Sequence, residues 1–282
     1  MPPPSSRVTS GVLQTASAKA AESRSSVSSM GKAAPGKTRR IAQGGATLGA
    51  MNVRIVALLA ALVPFVAVHL TWLVAASHGL VEWCNPYIHD CTSISATGRH
   101  PPASFLFRAS MLPAAVLFAG YWWVNHAWMA TLSGRTTATN RWMLGLGLLA
   151  SLGLILYVTV LGEVGDAWAR QRRIGTVLFF SFTFLCQLLL VAQLKAQAGR
   201  LPQVQGLVRG MWRLCVALLT IGLLTVILEA WNRPLYKSMD NSFEWVLTLL
   251  LQANFFLGYF VWRRAGLTLK ASDRSLTKLE TE

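Results

Sequence analysis

Five ionisable side chains lie at one depth among the long apolar stretches of this 282-residue chain. Arg108 opens one stretch and Glu163 closes the next, while Glu229 ends another and Glu244 begins the last. His69 falls 14 residues beyond Ile55, about 21 Å along a helix that rises 1.5 Å per residue. Ionisable groups are costly in hydrocarbon, so each is a functional hypothesis by default. Weaker polar groups extend the layer. Glu244, Thr248 and Gln252 recur every four residues and share a helix face; so do Thr225 with Glu229, and Thr183 with Gln187 beyond Thr176. The pattern predicts a polar crevice open toward one leaflet. Its chemistry is that of headgroup binding: Arg108 offers a planar fork to a phosphate, and Glu229 or Glu244 pairs with that arginine or with an amine. The plainer reading of each residue alone is an interhelical hydrogen bond, or a charge reaching water from a helix end.

Six apolar stretches must position these groups, roughly Ile55–Ala76, Phe105–Val124, Trp142–Gly162, Ile174–Leu194, Leu214–Trp231 and Trp245–Trp262. Each has about the 20 residues that a helix needs to cross a hydrocarbon core of about 30 Å. Long runs of Leu, Val, Ala and Gly without alternation exclude a barrel. The expected fold is all-α: a polytopic membrane protein with six transmembrane helices in one bundle. Charged residues are 13% of the chain and apolar ones 53%, too few charges to cover a soluble globule. Pro64 and Pro113 are expected to kink the first two spans, and Gly147 with Ser151 forms a small-xxx-small pair beside Gly145 and Gly153.

The net charge of +15 raises nucleic acid as a partner, but its distribution points to topology. With the termini on one side, that side carries nineteen Lys/Arg and four acids, and the other carries seven of each. The positive-inside rule then puts both termini in the cytoplasm, with membrane lipids and no nucleic acid as partners. Arg170, Arg172 and Arg173, in a short outer connection, oppose this locally. All eleven Trp fall at or near span ends, as interface anchors do. The expected location is an integral membrane: plasma or inner membrane in a bacterium, an endomembrane in a eukaryote.

Residues 1–50 are a different material, rich in Ser, Ala, Gly and basic residues with Glu22 as the one acid. Such a chain buries too little apolar surface to order itself. It has either the composition of an organellar transit peptide or that of an extension ahead of a start at Met51. Residues 51–264 form the membrane domain, and 265–282 a cytoplasmic tail.

The connection Ser77–Ser104 is the longest between spans, a length that is often functional. It holds Cys84 and Cys91, which either close a small disulfide ring in an oxidising compartment or stay reduced. It also holds His78, His89, His100 and Asp90, but no ligand spacing supports a metal site. Phosphate-binding Gly-rich loops, His-Glu-x-x-His and Gly-x-Ser-x-Gly are absent from the sequence, so no catalytic set and no cofactor is assigned.

Pro86-Tyr87-Ile88, then Ser93-Ile94-Ser95-Ala96 through Pro101-Pro102 to Phe105-Leu106-Phe107-Arg108, resembles the DRAM/Frag/Sfk family, whose module also forms the N-terminal part of the Cwh proteins. Asn241-Ser242-Phe243-Glu244-Trp245 is similar to the family's Glu-Trp at the start of its last span. The resemblance covers roughly residues 54–264 and implies six spans. It also implies membrane-lipid biology: remodelling of lipid anchors, autophagy and lysosomal function, and phospholipid asymmetry. Ser93, Ser95, Arg108, Glu244 and Trp245 are the matching positions. The expected function is a non-catalytic lipid-interacting role, with Arg108, Glu229, Glu244, His69, Ser93 and Ser95 as the headgroup-binding set. The alternative is an enzyme that remodels outer-leaflet lipids, with Ser93 or Ser95 as nucleophile and a His or Glu in contact as base. A transporter is third, since no inverted repeat is visible.

Overall fold

A computed structural model describes residues 53–270 and 278–280. The expectations for residues 1–50 lie outside the described residues. Eight helices and one strand pair follow in order: α1 (Arg54–Ser77), α2 (Ile94–Thr97), α3 (Ala103–Ser133), α4 (Ala138–Thr159), α5 (Asp166–Ala196), α6 (Gln205–Trp231), α7 (Arg233–Lys237) and α8 (Asp240–Arg264). The short strands β1 (Thr268–Lys270) and β2 (Lys278–Glu280) pair antiparallel after the last helix. Six helices are long and apolar enough to span a bilayer, and the protein is an all-α, multi-pass membrane protein.

The spans close a ring in chain order. α1 packs on α3, α3 on α4, α4 on α5, α5 on α6, α6 on α8, and α8 returns to α1. Arg54 Nε donates to the Leu267 carbonyl at 3.1 Å, so the first span begins where the last one ends. We call this the terminal end. The opposite, loop end carries the long connection between α1 and α3.

Lipid supplies no hydrophobic drive between helices, so close packing and internal hydrogen bonds hold the ring. A close backbone approach joins α4 to α5. A Cβ on Gly153 would stand 2.9 Å from the Gly175 carbonyl, and one on Gly175 only 2.6 Å from that of Gly153. Gly147 serves differently, giving its space to the Trp122 ring of α3. Pro64, within α1, has no N–H to offer Ala60 four residues back. Gln252 of α8 supplies the missing donor: its Nε2 lies 2.9 Å from the Ala60 carbonyl and also reaches Ala61.

Two sequence expectations need correction. The helices run past the apolar stretches, and α3 continues from Val124 to Ser133 through Asn125 and His126. Those polar residues are internally satisfied. Asn125 accepts from Trp262 Nε1 at 3.1 Å, and Asn140 Nδ2 donates to the His126 carbonyl at 2.9 Å. The tryptophans also divide. Trp83, Trp123, Trp142, Trp168, Trp212 and Trp231 are exposed, as anchors would be, but Trp122, Trp128, Trp245 and Trp262 are fully buried. Their rings fill the core; Trp262, for example, stacks on Tyr121 with centroids 5.0 Å apart.

Candidate functional site

The two segments that carry the family resemblance, distant in sequence, meet at the loop end. Asn85 starts the loop's turn, its Oδ1 accepting from Tyr87 N at 3.1 Å. Asp90 then adopts a left-handed conformation (φ 52°), and its carboxylate accepts from the Ser242 backbone N–H at 2.8 Å. The first N–H groups of any helix lack intrahelical partners, and α8 gains one from this loop. Asn241 Nδ2 donates to the Asp90 carbonyl at 3.0 Å, and Trp245 Nε1 to the Thr92 carbonyl at 2.9 Å. The sulfurs of Cys84 and Cys91 are in bonding contact, with Cα atoms 6.5 Å apart.

Below this strap lies a cavity of about 760 Å³, counting its open mouth. Its walls come from α1, α2, α3, α4, α5 and α8, and are largely apolar: Phe65, Val68, Phe107, Met111, Phe118 and Leu154 are among them. Polar groups gather toward the loop end. His69, Tyr87, Tyr157, Thr176, Glu244 and Thr248 line the cavity there, and Gln252 lies deeper. α5 and α8 touch where Gln187 Nε2 donates to the Leu251 carbonyl at 3.0 Å. Nearer the loop end, Thr176 and Phe180 on α5 and the exposed Leu249 on α8 line the cavity. α6 contributes no lining residue. Its buried residues, Val208, Met211, Cys215 and Leu218, all lie in its terminal-end half.

His69 is held at both ring nitrogens. Nδ1 lies 2.6 Å from the Phe65 carbonyl and Nε2 2.8 Å from the Tyr87 hydroxyl. A carbonyl only accepts, so Nδ1 donates to it, and with that tautomer of the neutral ring Nε2 accepts from the Tyr87 O–H. Partial burial pushes the Tyr87 phenol above its ordinary pKa, which keeps that donor protonated. The Ser95 backbone N–H faces the Glu244 carboxylate, and the nearby charges acting on Glu244 are Asp240 and Arg99.

The other sequence-selected residues stand elsewhere. Arg108 Nη2 donates to the Leu161 carbonyl and lies 3.8 Å from Glu163 Oε1. Its carboxylate neighbour is therefore Glu163, not Glu229 or Glu244. The cause is local: the turn that follows α4 lies beside the start of α3, and its carbonyls need donors. Arg172 serves the same turn, Nη1 donating to the Glu163 carbonyl at 2.7 Å. Glu229 is exposed near the end of α6, in electrostatic range of Tyr236 and Lys237, and does not line the cavity. Ser93 Oγ caps α2, accepting from Ala96 N at 3.0 Å, and lies 3.0 Å from Ser95 Oγ. Among the described residues no histidine or carboxylate hydrogen-bonds either hydroxyl, and no three His, Cys, Asp or Glu side chains group as a metal would require.

Sequence reasoning passed over Tyr87, Asp90, Tyr157 and Ser242 as site residues. Tyr87 and Ser242 stand in the segments quoted for the resemblance, which was the available signal. Asp90 shows its role only through a contact 152 positions away.

No curated protein and no solved structure matches the chain significantly. One family model does match, over residues 52–262, which is most of the chain and every span described above. Six apolar helices and that match identify the chain as a member of the Frag1/DRAM/Sfk1/Cwh43P N-terminal domain family.

Proposed function

We propose that this membrane protein is a non-catalytic lipid binder that takes an amphiphile from the outer leaflet into the cavity. One observation supports it most: the cavity is segregated, with largely apolar walls deep in the ring and polar groups gathered toward the loop end. That gradient matches an acyl chain with its headgroup at the membrane surface. On the charge distribution, the terminal end and both termini face the cytoplasm, and the loop end faces outward. His69 and Glu244 contribute from within the cavity, and Ser95 through its backbone. Arg108 braces the rim through Leu161 and Glu163, and Ser93 shapes the lid as the cap of α2. The alternative, hydrolytic remodelling through Ser93 or Ser95, has less support because neither hydroxyl has a base in hydrogen-bond contact.

Native mass spectrometry of the purified protein tests this reading. The wild type is expected to retain lipid. Thr176→Trp, which puts a bulky ring into the cavity, is expected to cut retention at least fivefold while leaving the protein monodisperse. Equal retention by both would contradict it.

A further inference from the structure

Within that proposed lipid role, we infer that the cavity selects an ammonium-bearing amphiphile, with Glu244 receiving the cation and Tyr87, Trp245 and Tyr157 walling it. The hydrogen-bonding inventory carries this. Four of the donors around the polar end are already engaged. Trp245 Nε1 is bound to the Thr92 carbonyl, and the Tyr87 hydroxyl to His69 Nε2. Thr248 Oγ1 donates to the Glu244 carbonyl at 2.7 Å, and Gln252 Nε2 serves Ala60 and Ala61. Thr176 and Tyr157 are the two lining hydroxyls with no hydrogen bond among the described residues.

Acceptors remain open: the positions of the Glu244 carboxylate that the Ser95 N–H does not use, the second lone pair of Tyr87, the Gln252 Oε1 and the Thr248 oxygen. A phosphate or carboxylate group entering here would meet acceptors and a like charge. An ammonium group would meet partners for its N–H bonds, or for its charge alone if quaternary. The aromatic walls add to this preference. Tyr87 and Trp245 approach edge-to-face at 5.5 Å, Trp245 lies 5.7 Å from His69, and Tyr87, Trp245, Tyr157 and Glu244 line one cavity. Arg99, exposed at the rim and in electrostatic range of Glu244, suits a phosphate that remains outside.

The test is lipid competition on the full-length protein, read by native mass spectrometry. The probes are phosphatidylethanolamine, phosphatidylcholine and phosphatidylglycerol with matched acyl chains. The wild type is expected to retain one or both amine lipids at least fivefold over phosphatidylglycerol. Glu244→Gln is expected to bring that ratio within twofold, and Glu244→Asp to keep it. Competition of the wild type by decylammonium against decyl phosphate gives the same readout without substitution, should the variants fold poorly. Lipid retained with no amine preference, or a preference that survives Glu244→Gln, overturns this inference and leaves lipid binding standing. A wild type that retains no lipid overturns both.

Discussion

The Asp90 carboxylate accepts a hydrogen bond from the Ser242 backbone N–H at 2.8 Å, while Asp90's own N–H donates to Ser242 Oγ at 3.0 Å. This reciprocal pair ties the loop to the N-terminus of α8. It places a negative charge at the positive end of a 25-residue helix. Asp90→Ala is expected to cost about 1–2 kcal/mol, the usual range for losing a helix cap. Asp90→Asn, which keeps an acceptor, should cost less. Thermal unfolding in detergent measures both, and an unchanged midpoint in Asp90→Ala would count against the strap.

Gln252 compensates for the donor that Pro64 lacks. Gln252→Leu should destabilise the protein by about 1 kcal/mol, because it orphans a buried carbonyl. Combining it with Pro64→Ala should recover part of the loss, since alanine restores the N–H that Ala60 can accept. Additive losses in the double variant would refute the link.

The glycines of α4 are unequal. Nothing lies within 4 Å of a Cβ built on Gly145, whereas one on Gly153 would press on the α5 backbone. Gly145→Ala is expected to be neutral or slightly stabilising. Gly153→Ala should cost about 1–3 kcal/mol by forcing the two helices apart. A ranking of unfolding midpoints in the opposite order would show that the α4–α5 approach is wrong.

Cys84 and Cys91 should form a disulfide in the native protein. Alkylation of the unreduced, denatured chain is expected to label Cys186 and Cys215 and to spare the loop pair. Cys91→Ser should lower stability by about 2 kcal/mol, the loop-closure expectation for so short a ring. Four labelled thiols would mean that the loop stays reduced.

The spans were legible because hydropathy over about 20 residues is a local property. Their extensions were not. Asn125 and His126 end an apolar run in the sequence, yet Trp262 and Asn140 satisfy them across helices, and no local pattern encodes those partners. For the same reason the tryptophan belt was only partly correct, since Trp122 and an exposed neighbour such as Trp123 look alike until the ring of helices is closed. Of the candidate site, the Glu244-Thr248-Gln252 stripe did lie on one face, and all three residues line the cavity. Spacing within a helix fixes a face. It does not say which helix that face meets, so Arg108 and Glu229 were assigned to the same layer although Arg108 serves the turn after α4 and Glu229 lies off the cavity.

An electron cryomicroscopy reconstruction of the protein in nanodiscs of native lipid tests lipid binding most directly. The expected result is elongated density running from Glu244 and His69 along Phe107, Met111 and Leu154. A cavity closed by its own side chains, or one holding only water along its length, would contradict it.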